Sequence, residues 1–107
     1  MTGKPRVKLP EAIKAGDVIE VRTLIGHVME TGNRKDKAGN VIPRNIIHSV
    51  LATYAGKEVF RAELKSGISA NPFIAFHMRV DGPGDLEIAW TDDSGLRTVE
   101  KLAVTVS

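Results

Sequence analysis

DLEIAWTDDSGLRTVEKLAVTV, residues 85–106, alternates apolar and polar side chains on both sides of a short acidic, glycine-bearing break. Leu86, Ile88 and Trp90 share one parity against Asp85 and Glu87. Leu102, Val104 and Val106 share one parity against Lys101 and Thr105. Period-two alternation sets one face of each run in a core and the other in water, the pattern of a half-buried antiparallel hairpin. Asp92, Asp93, Ser94 and Gly95 have the chemistry of its turn, with the glycine able to take positive φ.

Runs of the same kind recur towards the N-terminus, rich in Val, Ile, Thr and Phe and bounded by Gly, Pro, Asn and Asp. They cover residues 6–9, 17–25, 45–54, 57–64 and 73–80, and with 85–91 and 96–106 they make seven strands. Ala55–Gly56 reads as a tight hairpin turn. Pro72 lies just outside a strand entry, and Gly82, Pro83 and Gly84 turn the chain. Residues 11–16 have room for a single helical or 3₁₀ turn before Gly16 and Asp17 break it. Without crossover helices, seven short strands in 107 residues predict an all-β, immunoglobulin-like antiparallel β-sandwich forming one domain over 1–107.

Three strands depart from clean alternation. Val18 and Ile19, Ile46 and Ile47, Val50 and Leu51, and Phe73 beside Ile74 and Phe76 place apolar groups at both parities. Either a partner chain covers a second apolar face, or bulges and twist at strand ends turn some of these residues inward.

Composition excludes several classes. A chain with 42% hydrophobic and 26% charged residues matches ordinary globular proteins, not a disordered or membrane-spanning one. Its net charge of +2 is spread among interleaved acids, the richest basic cluster being Arg34, Lys35 and Lys37 broken by Asp36. A nucleic-acid surface gathers its cations on one stripe, so none is expected here. Zero cysteines remove disulfides, thiol catalysis and thiolate metal ligands, while leaving the compartment open. Residues 1–10 are polar and basic without the apolar stretch of a secretory signal, so the chain is expected either to stay in the cytoplasm or to be exported with a partner.

Residues 24–44, LIGHVMETGNRKDKAGNVIPR, carry three glycines, a proline and many charges but no apolar period. Connections are typically about 4–6 residues, and a structureless insert beyond about 12–15 is usually functional or disordered. His27 with Met29 offers imidazole and thioether, a copper-compatible pair, though a loop contact is the plainer role. His27, His48 and His77 have no zinc-like spacing. His48, between Ile46 and Val50, suits a hydrogen-bonded core or interface position. Ser49, Ser66, Ser69 and Ser94 lie in no nucleophile elbow or triad sequence. Asp92 and Asp93 lack the calcium-loop pattern, and Gly82 and Gly84 precede no helix that would complete a phosphate site.

METGNRKDKAGNVIPRNII (29–47) resembles the characteristic segment of the Z subunit of the sulfur-oxidation (Sox) thiosulfate carrier complex, the SoxZ family. PRVKLP (5–10), GKEVFRAEL (56–64), SANPFIAF (69–76) and WTDDSG (90–95) resemble that family too, in order and at similar spacing. The likeness implies a small immunoglobulin-like sandwich that forms a heterodimer with the Y subunit, SoxY, whose mobile C-terminal arm ends in a glycine-flanked cysteine carrying the sulfur intermediates. It further implies transient contacts with Sox cytochrome, hydrolase and dehydrogenase components in the periplasm, export with a SoxY that bears the signal, and a non-catalytic role for this chain with no cofactor. A chain lacking cysteine cannot itself hold a sulfane, in keeping with that role.

The resemblance maps no interface residue by residue. From the doubly apolar strands, Ile46, Val50, Ile74 and Phe76 are the core-to-interface candidates. In the loop, His27, Glu30, Arg34, Lys35 and Arg44 are candidates for docking passing enzymes, where rim charges chiefly set association rate; alternatively the loop charges simply solvate it. The isolated chain is expected to self-associate through an uncovered face. A stand-alone metal- or ligand-binding immunoglobulin-like module and a small enzyme are the competing readings.

Overall fold

The computed structural model describes residues 4–27, 29–65 and 70–107; Ser66 and Ser69 lie outside them. Seven strands form: β1 (Arg6–Lys8), β2 (Asp17–Leu24), β3 (Ile47–Tyr54), β4 (Lys57–Glu63), β5 (Phe73–Val80), β6 (Gly84–Asp92) and β7 (Arg97–Val104). They make a three-stranded sheet in the order β1-β2-β5 and a four-stranded sheet in the order β4-β3-β6-β7. Every pairing is antiparallel. The chain therefore passes between sheets after β2, after β4 and after β5, the immunoglobulin-like sandwich expected from the alternation. Residues 11–16 contain no helix, only a turn at Ala15 and Gly16 closed by the Asp17 N–H donating to the Lys14 carbonyl at 3.0 Å.

The inward parity builds one core. Leu86, Ile88 and Trp90 of β6 join Val50 and Ala52 of β3 and Val21, Met78 and Val80 of the smaller sheet in a single buried cluster. Burial of each large member is worth about 1.5–3 kcal/mol. At one side of the sandwich Phe60 of β4 stacks on Phe76 of β5, with ring centroids 4.6 Å apart and planes within 6°. That contact joins an edge strand of one sheet to an edge strand of the other.

Turn chemistry fixes the hairpins. Ala55 and Gly56 both have positive φ, 51° and 81°, between the register partners Tyr54 and Lys57. This is the mirror-image two-residue turn whose twist matches that of the strands. Gly95 has φ 89° in the β6–β7 turn.

The doubly apolar strands resolve in two ways. Ile46 and Ile47 are both buried, because the β3–β6 register shifts between Ile47 and Ser49 and breaks strict alternation there. Val18 and Phe73 keep the outward parity and stand 66% and 61% exposed.

Candidate functional site

Residues 30–45 of the long connection between β2 and β3 form a narrow ribbon, correcting the reading of this stretch as structureless. Glu30 and Asn45 exchange two backbone hydrogen bonds of 2.8 Å, and the Ile42 N–H donates to the Arg34 carbonyl at 2.8 Å. Lys35 pairs with Val41 beyond them. At the tip, Asp36 Oδ1 accepts from the Ala38 and Asn40 N–H groups, both at 2.9 Å. Gly32, at φ 85°, lets the two sides approach: a Cβ there would lie 3.1 Å from that of Arg44. Two isolated bridges with irregular backbone between them produce no alternation, so the sequence carried no strand signal.

A buried polar junction fixes the base of this arm. His27 is 3% exposed and Asp92 4%. The Met29 N–H donates to His27 Nδ1 at 2.9 Å, which assigns the ring proton to Nε2, 3.3 Å from Asp92 Oδ2. The other carboxylate oxygen accepts from the Ser94 N–H (3.0 Å), the Ser94 hydroxyl (2.6 Å) and the Leu96 N–H (3.1 Å). Asn71 closes the other side: its Oδ1 accepts from the His27 N–H at 3.0 Å, and its own N–H donates to the His27 carbonyl at 2.7 Å. Burial alone pushes the Asp92 carboxyl upward, but the bonds from Ser94, His27 and Leu96 outweigh it and hold the group below the usual carboxylate range.

His27 is thus a corrected docking candidate: it is enclosed because its ring links the arm to the β6–β7 turn. Both its ring nitrogens are engaged, and Met29 sulfur accepts the Ile47 N–H at 3.3 Å, so the imidazole–thioether pair is already committed to the fold. Among the described residues no cluster of three His, Asp or Glu is arranged to hold a metal.

The apolar candidates also move. Ile46, Val50 and Phe76 are core residues, and Ile74 is half-buried against the core. Their parity faces the opposite sheet, so Ile46, Val50 and Phe76 offer a partner no surface and Ile74 only part of its side chain. The exposed apolar groups of the three-stranded sheet are instead Val18 and Leu24 on β2 and Phe73 on β5.

Comparison with known proteins interprets this framework. Residues 7–103 match the family described as "Sulphur oxidation protein SoxZ", a span from β1 into β7. The chain belongs to the SoxZ family. No curated protein matches it. Among solved structures, a superoxide reductase (neelaredoxin) from Ignicoccus hospitalis aligns with TM-score 0.70 at 18% identity, covering 99% of this chain and 82% of its own. A putative superoxide reductase from Thermotoga maritima gives 0.72 at 14%, covering 96% and 85%. The sulfur carrier protein SoxY from Chlorobium limicola f thiosulfatophilum gives 0.64 at 13%, covering 96% and 78%. At these identities the likenesses show a shared fold alone.

In this SoxZ-family chain the arm charges are largely paired. Arg34 clamps Glu30 through Nε at 3.0 and 3.1 Å and through its terminal nitrogen, an ion pair that lowers the Glu30 pKa. Arg44 makes two bonds to Asp93, at 2.8 and 3.0 Å. Lys35 is exposed near the tip. His48 is half-buried at the wall of an open polar depression with Ser49, Glu63 and Lys65, beside the Arg44–Asp93 pair. It is a rim residue and not a core one, because it falls at the register shift in β3.

The junction has a measurable acid signature. An Asp92 carboxyl with a depressed pKa stabilises the fold fully above its unfolded value, about 3.9, and that contribution disappears as pH falls through the lower folded value. Asp92→Asn turns an amide N–H towards His27 Nε2–H, and the opposite tautomer would set a ring N–H against the Met29 N–H. We expect a loss of about 2–3 kcal/mol at neutral pH and a shallower decline in acid, read by urea unfolding from pH 6 to pH 2.5. Parallel acid limbs in the two proteins would refute the role assigned to Asp92.

Proposed function

We propose that this chain is the non-catalytic subunit of a sulfur carrier complex, pairing with a SoxY subunit whose C-terminal cysteine carries the intermediates of thiosulfate oxidation. The family match over residues 7–103 carries this reading. The absence of cysteine from all 107 residues supports it, since a sulfane needs a thiolate to hold it. The shared fold with a solved SoxY adds that carrier and support are sandwiches of one kind. In this reading the complex works in the periplasm, where cytochrome, hydrolase and dehydrogenase components visit the cargo in turn.

The arm is the proposed meeting place for those visitors, with Arg34 and Lys35 exposed along it. Exposed rim charges act mainly on encounter rate. Reversing both to Glu is expected to slow association of the visiting enzymes several-fold at low salt and to flatten its salt dependence; stopped-flow rates that stay unchanged would remove the arm from the docking scheme.

Mixing the purified chain with SoxY is expected to give a stable one-to-one heterodimer by size-exclusion light scattering. Two separate species at micromolar concentration, or turnover of a sulfur compound by this chain alone, would overturn the proposal.

A further inference from the structure

The two outer faces of the sandwich differ in charge. Outward positions of the four-stranded sheet mix signs: Glu87 faces Lys101 across β6 and β7, Thr91 faces Arg97, and Arg61 is paired with Glu58. The outer face of β1-β2-β5 is dominated by cations. Lys8, Arg22 and Ala75 form one row across its three strands, and Arg6, Leu24 and Phe73 form another. Farther along, Glu20 faces His77, and Val18 faces Arg79. Glu20 is bonded by Arg22 at 2.5 Å, and Asp81 just past β5 pairs with Arg79 at 2.7 Å, which centres the cationic field on Arg6 and Lys8.

Apolar groups sit within this basic field. Phe73 is 61% exposed and its register partner Leu24 39%, so they form one patch rather than scattered singles. One shallow depression on this side of the sheet is lined by Arg6, Lys8, Arg22, Leu24 and Phe73. An apolar patch ringed by charge marks a protein contact surface.

We propose that the outer face of the β1-β2-β5 sheet is the surface against which the carrier subunit packs, and that the carrier presents an apolar patch rimmed by carboxylates. The proposal rests on the carrier-subunit reading and adds the face and the chemistry of its partner. Charge selects the occupant. A second copy docked face to face would set Arg6 and Lys8 against the same cations, which like-charge repulsion disfavours, whereas an acidic rim complements them. An anionic bilayer would have to accommodate Glu20 in the middle of the face. Passing enzymes would leave Leu24 and Phe73 bare between encounters, and permanent interfaces are the more apolar class.

The test uses the full chain with SoxY. Leu24→Asp with Phe73→Asp is expected to weaken SoxY binding at least 100-fold, and Arg6→Glu with Lys8→Glu to slow association and reduce its salt dependence. Val99→Asp, exposed on the other sheet, is expected to change affinity less than 3-fold. All these positions are solvent-exposed or half-exposed, and circular dichroism with thermal melts checks that each variant folds. If the wild type binds SoxY and the Leu24/Phe73 variant binds equally well, the face is wrong and the pairing stands. If the wild type does not bind SoxY, both fall. A wild-type homodimer abolished by the same variant would make a second copy the occupant and overturn the proposal. So would binding to phosphatidylglycerol–phosphatidylcholine vesicles that is lost in the Arg6/Lys8 variant while SoxY affinity is unaltered.

Discussion

The buried Asp92 carboxylate ties together parts of the chain that are far apart in sequence. One oxygen closes the β6–β7 turn through Ser94 and Leu96, and the other receives His27 from 65 residues away. A charge with so little water around it is tolerated only because four donors surround it. The arrangement makes the arm between β2 and β3 an extension of the sandwich, since His27 in turn orders Met29, and Met29 sulfur meets β3 at Ile47. Arg44 and Asp93 repeat the connection on the surface, and the Ile46 N–H bonds Asp93 Oδ2 at 3.2 Å. Adjacent acids in one turn thus have separate tasks, one inside and one outside.

Much of this fold was legible because its physics is local. The alternation in β6 and β7 and the Ala55–Gly56 turn each depend on residues a few positions apart, and all appear where the sequence places them. What escaped the sequence depends on distant partners. The arm's bridges join Glu30 to Asn45 and Lys35 to Val41 without period. The His27–Asp92 contact spans most of the chain, and its only trace was a histidine in a polar loop and an acid in a turn.

Parity explains the misplaced interface candidates. A strand apolar at both parities announces two apolar faces without saying which is inside. Ile46, Val50, Ile74 and Phe76 turned out to serve the core, while Val18, Leu24 and Phe73 supply the exposed groups. The physical deduction that a second face exists was sound for β2 and β5; assigning residues to it needed the register. At Ile46 and Ile47 a register shift, rather than a second face, accounts for the doubled apolar pair.

In the proposed reading this cysteine-free sandwich is a support, and another polypeptide does the sulfur chemistry. Intact-mass spectrometry of the reconstituted complex with SoxY, charged with thiosulfate by the Sox cytochrome, tests that division of labour most directly. The account predicts that every sulfur-bearing mass increment resides on SoxY while this chain keeps its unmodified mass. A covalent sulfur adduct on this chain, or full loading of SoxY in its absence, would contradict it.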